Sequence, residues 1–246
     1  MDYYCFLVAH SVSDVKTNLL SVYPDVKRWI SERGDVERSG GSGGKVVKFN
    51  EKKYLQDLSL GKLEAIELYS ERKWRKGEVS EVLNSDFSVV FSNGTGLMLS
   101  ANKEKIRLSD LLDSFLMMGH VVEAYDYAYA YVETHAYGTG YARGIYMPDE
   151  IHPLMWGRRS EAGAWMKKQW SNDTGSYIRD IYQLNMYSSR KIEALPHDKR
   201  QALTQAMERY GECSVQKGFS VWALEEAELE MAREYLKSFK LLASYL

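Results

Sequence analysis

The chain has 246 residues, 45% of them hydrophobic and 13% aromatic, so it carries the apolar material of a folded core and is not a disordered polymer. Lys and Arg number 32 against 34 Asp and Glu, a formal net charge of -2, and a whole-molecule field of that size does not collect phosphate, so nucleic-acid binding would need a local basic patch. The two cysteines, Cys5 and Cys213, are too few for a disulfide framework and fit a reducing cytoplasm, and no apolar run has the length of a bilayer span.

The opening residues lack a positively charged leader, and Tyr3–Ala9 is expected to form the first strand. Ser11 to Gly34 spaces Val15, Leu19, Leu20, Val26, Trp29 and Ile30 at a helical period broken by Pro24, which predicts one kinked helix or two short ones. The glycine-rich stretch Ser39-Gly40-Gly41-Ser42-Gly43-Gly44 is expected to be a loop. Short β-rich runs follow at Leu63–Tyr69, Glu78–Leu83, Phe87–Phe91 and Leu97–Leu99, separated by turn signals, as in an antiparallel meander. Ser109 reads as the N-cap of a helix that ends near Gly119.

Tyr125, Tyr127, Tyr129 and Tyr131 alternate with small or polar residues at the strand period, so one face of that strand is tyrosine, either core or partner surface. Arg159–Trp170 reads as a helix, Tyr177–Leu184 as a strand, Ser188–Tyr210 as mostly helical despite Pro196, and Phe219–Leu224 as a last strand. A closing helix is expected from Glu225 to Leu246, with Met231, Tyr235, Phe239, Leu242 and Leu246 on one stripe and glutamates loading its first turns. Strands and helices segregate, which predicts an α+β fold of antiparallel sheets with packed helices. The chain is read as one compact domain over 1–246, or as two similar β/α lobes at about 1–120 and 121–246.

Chemistry-bearing patterns fail when tested against the context they need. Gly40-Gly41-Ser42-Gly43-Gly44 has no buried strand before its serine, as a nucleophile elbow requires, and Gly44-Lys45 is followed by Val46 where a phosphate loop carries Ser or Thr. The five histidines lack the paired spacing of zinc ligands, so no metal and no cofactor is expected. Two alternatives stay open at this stage. One is a small hydrolase built around His135, His152, Asp149 and Glu150 in a glycine-bearing loop region. The other is single-stranded nucleic-acid binding on the tyrosine face.

Tyr131-Val132-Glu133, Ala142-Arg143-Gly144-Ile145-Tyr146 and above all Tyr177-Ile178-Arg179-Asp180-Ile181-Tyr182-Gln183-Leu184-Asn185-Met186 form an ordered set. It resembles the Immunity protein 52 family of bacterial polymorphic-toxin systems, with Gln183 standing where the family pattern has a proline. The resemblance covers the C-terminal half. It implies a small cytoplasmic protein, without catalytic residues, that neutralises a toxin with a restriction-endonuclease-like fold, including effectors of type VI secretion. It further implies that Arg179, Asp180, Tyr182 and Asn185 are structurally special. A nuclease presents basic residues and a metal site, so its inhibitor is expected to offer carboxylates around aromatic anchors. Two regions fit that description: Tyr141, Tyr146, Asp149, Glu150 and Trp156 in a loop-like stretch, and Glu225, Glu226 and Glu228 at the start of the final helix. The expected partner is the cognate toxin, with neither a membrane nor nucleic acid bound directly.

Overall fold

A computed structural model describes residues 3–11, 18–41, 45–70, 85–92, 96–134, 138–139, 142 and 163–246. The fold is α+β, every strand pairing described below is antiparallel, and the chain divides into two compact units. Unit 1 comprises Met1–Ala124 with Val132–Ala136, and unit 2 comprises Tyr125–Tyr131 with Tyr137–Leu246.

Unit 1 holds β1 (Tyr3–His10), α1 (Leu19–Ser31), β2 (Val36–Gly40), β3 (Val46–Lys48), α2 (Glu51–Ser59), β4 (Ala65–Ser70), β5 (Phe87–Ser92), β6 (Gly96–Asn102), α3 (Leu108–Leu116) and α4 (His120–Glu123). Its strands lie in the order β3-β2-β4-β5-β6-β1. The β1 and β5 strands read as nearly continuous apolar runs because almost every residue in them is buried. α1 starts where the Asn18 side chain accepts the Leu20 N–H at 3.0 Å, and it buries Val22, Val26, Trp29 and Ile30 along one stripe. The helix runs through Pro24, which lacks the N–H of an ordinary helical residue.

Two expectations in unit 1 need correction. Ser39 and Gly40 are not loop but the end of β2, where Ser39 pairs with Val47 on one side and Leu68 on the other. Ladder bonds to two neighbours offset the conformational entropy that glycine loses. Gly40 has a packing reason as well, since a Cβ there would lie 2.9 Å from the Glu67 side chain. α3 is capped at Arg107 rather than Ser109, because the Asp110 carboxylate reaches back to accept the Arg107 backbone N–H at 3.4 Å, and it pairs with the Arg107 guanidinium at 2.8 and 3.0 Å as well. The expected run Glu78–Leu83 lies outside the described residues.

Unit 2 contains most of β7 (Tyr127–Thr134), a helix α5 over 163–170, β8 (Leu184–Ser188), α6 (Ser189–Ala194), α7 (His197–Arg209), β9 (Glu212–Gln216), β10 (Phe219–Ala223), α8 (Glu226–Lys237) and a 3-10 turn Ala243–Tyr245. Strand order is β7-β8-β10-β9. Residues 177–183, expected as a strand, are irregular apart from one parallel bridge between Ile178 and Leu242. The closing helix ends at Lys237, not Leu246: the chain turns at Lys240 with φ of 51° and tucks Leu241, Leu242 and Ala243 into the core. α8 buries Leu229, Ala232 and Leu236, whereas Met231, placed on the expected stripe, is 52% exposed. Pro196 separates α6 from α7 without interrupting either.

Candidate partner-binding surface

Of the residues that carry the family resemblance, Arg179, Asp180, Tyr182 and Asn185 are buried and hydrogen-bonded within unit 2, Gln183 is exposed, and 143–146 lie outside the described residues. The Arg179 guanidinium, 1% exposed, donates to the Tyr129 hydroxyl at 2.5 Å, and the Tyr127 hydroxyl donates to the Asp180 carbonyl at 3.0 Å. The Asp180 carboxylate accepts from Ile181 N at 2.8 Å and from Arg233 Nε at 3.1 Å, while a second Arg233 nitrogen donates to the Ile181 carbonyl at 2.9 Å. Burial lowers the Arg233 pKa, and the charge and hydrogen bond of Asp180 more than reverse that, so the net shift is upward. The Asn185 amide closes a turn by accepting from Tyr182 N at 3.0 Å and donating to Tyr182 O at 2.8 Å. This cluster fixes an irregular segment whose backbone would otherwise be buried without partners.

The tyrosine face belongs to the same interior. Tyr127, Tyr129 and Tyr131 are buried, Tyr129 stacks on Tyr182 at 4.2 Å between centroids, and Tyr127 stacks on Tyr187 at 5.5 Å. Rings enclosed in this way offer no platform for partner or base. Lys191 is equally enclosed, its ammonium donating to the carbonyls of Thr174 at 2.5 Å, Gly175 at 3.2 Å and Tyr177. Desolvation pushes its pKa down to about 7 against the pull of Asp126 and Asp173.

Among the described residues, no three His, Cys, Asp or Glu side chains gather at metal-binding range, and no helix is long and apolar enough to cross a membrane. Cys213 is exposed, and partial desolvation raises its thiol pKa, away from the thiolate that nucleophilic catalysis needs.

Unit 2 has a different character along β9. The β9–β10 hairpin turns through Lys217 and Gly218, with φ of 46° and 81°, the left-handed pair of a type I′ turn. Gln216 faces Phe219 across that turn, so the antiparallel alternation turns the backbone groups of Gln216, Ser214 and Glu212 toward β10. Those of Val215 and Cys213 point the other way. β9 is the terminal strand of its sheet, so these outward groups meet no further strand among the described residues. Its side chains are exposed as well, Val215 to 79%.

Acids surround the start of this edge. Gly211, with φ of 68°, leads into β9 so close to β10 that a Cβ would meet the Ala223 carbonyl at 2.1 Å. Its N–H donates to Glu228 Oε1 at 3.0 Å, and Glu228 Oε2 accepts from Glu225 N at 3.2 Å. Glu228 therefore ties the entry of β9 to the first turn of α8 and is not a free contact residue. Glu225 and Glu226 are exposed, as is Glu212, whose Cα partner is Ala223, two residues before Glu225. None of these three carboxylates has an ion pair among the described residues, unlike Glu230 and Glu234 farther along α8, which pair with Arg233 and Lys237.

Of the residues singled out from sequence, the structure thus brings Glu225, Glu226 and Glu228 together. Tyr141, Tyr146, Asp149, Glu150 and Trp156 lie outside the described residues, as do His135 and His152. The β9 edge carried no sequence signal beyond the exposed Lys217-Gly218 turn dipeptide. Comparison of the chain with protein-family profiles, curated proteins and solved structures finds no match in any of the three.

Proposed function

We propose that this chain is an immunity protein: a cytoplasmic binder that neutralises a cognate bacterial toxin, a nuclease effector of the restriction-endonuclease-like class, by stoichiometric contact and without turnover. The observation that carries the reading is the unpaired edge of β9 with the carboxylates of Glu212, Glu225 and Glu226 at its start. An edge strand supplies main-chain hydrogen bonds to an incoming strand, and unpaired acids supply steering toward the basic surface that a nuclease must present to phosphate. Natural proteins often protect exposed edges with proline, and β9 has none within Glu212–Gln216 and no further strand beside it among the described residues. The resemblance of Tyr177–Met186 to the Immunity protein 52 family supplies the class of partner.

Co-expression of the chain with the toxin encoded beside it is expected to restore growth, and the purified pair to form a one-to-one complex. Val215→Pro removes an outward N–H on the free side of β9, and a second variant, Glu212→Lys with Glu226→Lys, reverses the local charge while leaving Glu225, whose side chain caps the first turn of α8, in place. Each is expected to weaken the complex by more than about tenfold while the circular dichroism stays native. The charge reversal acts mainly on the association rate and the strand block on the dissociation rate. Unchanged affinity in both would remove this surface, and unchanged toxicity on co-expression would remove the function. Asp149→Lys with Glu150→Lys tests the loop-like stretch in the same assay.

A further inference from the structure

β9 is the terminal strand of its sheet, and its residues are ordered so that it complements itself. Glu212, Ser214 and Gln216 share one face, and Cys213 and Val215 share the other. The backbone groups of Cys213 and Val215 are the ones turned away from β10. A second β9 laid antiparallel about a two-fold axis at Ser214 sets Cys213 of each copy opposite Val215 of the other. Outward groups then meet outward groups and exchange about four main-chain hydrogen bonds across an isologous contact.

The side chains agree on both faces in that register. Val215, 79% exposed, covers the exposed Cys213 of the other copy, so apolar meets apolar. On the opposite face Ser214 meets Ser214, and the Glu212 carboxylate stands against the Gln216 amide, an acceptor against a donor. Gln216 Nε2 reaches the Ser214 hydroxyl at 3.3 Å within one chain, so this amide lies along the same face. The Lys217 end of one hairpin comes to the Glu212 end of the other, and opposite charges adjoin. The two Glu212 residues stay about 14 Å apart, a separation of four strand steps.

Neighbouring registers lose these matches. Centring the axis on Cys213 draws the two Glu212 residues within two strand steps of each other. Centring it on Val215 drives each strand into the turn of the other at Lys217 and Gly218, whose φ of 46° and 81° do not continue a ladder.

We propose that β9 is a dimerisation edge, through which two copies of this chain join by an antiparallel β9–β9 pair centred on Ser214. The strand has five residues, so the dimer is concentration-dependent rather than permanent. It goes beyond the toxin reading and stands without it, and a toxin that docks on the same edge displaces the second copy.

Sedimentation equilibrium of the full chain without toxin, over a rising concentration series, is expected to show monomer and dimer in equilibrium. Val215→Pro removes an outward N–H from each strand and should weaken the dimer by more than about tenfold, with native circular dichroism. Disulfide trapping reads the register, in a Cys213→Ser background that removes the exposed native thiol. There, Ser214→Cys sets the new thiols opposite each other at a non-hydrogen-bonded pair with Cα atoms about 4.5 Å apart, within disulfide range. A covalent dimer is expected in a glutathione redox buffer. Gln216→Cys sets the thiols about 14 Å apart and should run as a monomer on a denaturing gel. A chain that stays monomeric up to its solubility limit overturns the dimer, and toxin affinity, measured separately, is unaffected by that result. Equal trapping at the two positions, or a dimer indifferent to Val215→Pro, puts the second copy elsewhere and overturns the β9 contact.

Discussion

Arg233 is the residue on which the irregular segment of unit 2 depends. It spans 53 positions to reach Asp180, holds the Ile181 carbonyl as well, and both charged side chains are largely buried, at 13% and 4% exposure. Truncation to Ala removes the charged partner of the buried Asp180 carboxylate, which keeps the Ile181 N–H. The expected cost is about 3–5 kcal/mol, read as a lower urea midpoint at unchanged slope. Replacement of Asp180 by Asn keeps the shape and one acceptor, and should cost less than Arg233→Ala. Equal, small losses in both would mean that the pair carries little of the segment's stability. Gly211 makes a second residue-scale case. Ala there meets the Ala223 carbonyl at 2.1 Å and must also adopt a φ of 68°. Strain and overpacking together predict a loss of about 2–4 kcal/mol, whereas Gly218→Ala, with open space around it, should cost about 1 kcal/mol.

At the scale of elements, legibility follows burial. β1, β5 and β6 announce themselves as nearly unbroken apolar runs because nearly every residue in them is buried, and α1 because burial imposes a helical period on Val22, Val26, Trp29 and Ile30. β9 does not, because Glu212-Cys213-Ser214-Val215-Gln216 is exposed on both faces and no core selects an alternation. The same exposure that makes it a candidate docking edge hides it from a reading based on hydrophobic period. Ile178, Ile181 and Tyr182 mislead in the opposite direction: each is buried, so together they mimic a strand, although Ile178 bonds to the backbone of Leu241 and Ala243 and the backbone of Ile181 and Tyr182 is met by the Asp180, Asn185 and Arg233 side chains. The glutamates at the start of α8 were legible as charge, but the commitment of Glu228 to Gly211 depends on a contact 17 positions away that no local pattern encodes. That commitment predicts a division within the acidic group. Glu228→Gln should lower stability by about 1–2 kcal/mol through the weakened tie, while Glu226→Gln should leave stability unchanged, as thermal unfolding would reveal.

For the molecule as a whole, net charge near zero means that stability against pH is set by individual buried groups rather than by general repulsion, and Lys191 is the clearest of them. Its amino group titrates near 10.5 when unfolded and is pushed down to about 7 in the fold by desolvation, with Asp126 and Asp173 opposing. Between those values the unfolded chain binds a proton at this site that the folded chain does not. Stability therefore rises with pH across that window, and the contribution is complete above 10.5 and lost as pH falls through 7. Other groups titrate in the same range, among them the tyrosines whose buried hydroxyls are shifted upward, so the wild-type curve alone does not isolate the effect. The difference from Lys191→Met does, since methionine fills a similar volume and binds no proton. Urea midpoints of the two proteins, followed from pH 6 to pH 10.5, are expected to diverge in favour of the wild type as pH rises. A pH-independent difference would mean that Lys191 stays protonated throughout, held by the carbonyls of Thr174, Gly175 and Tyr177 strongly enough to outweigh its desolvation.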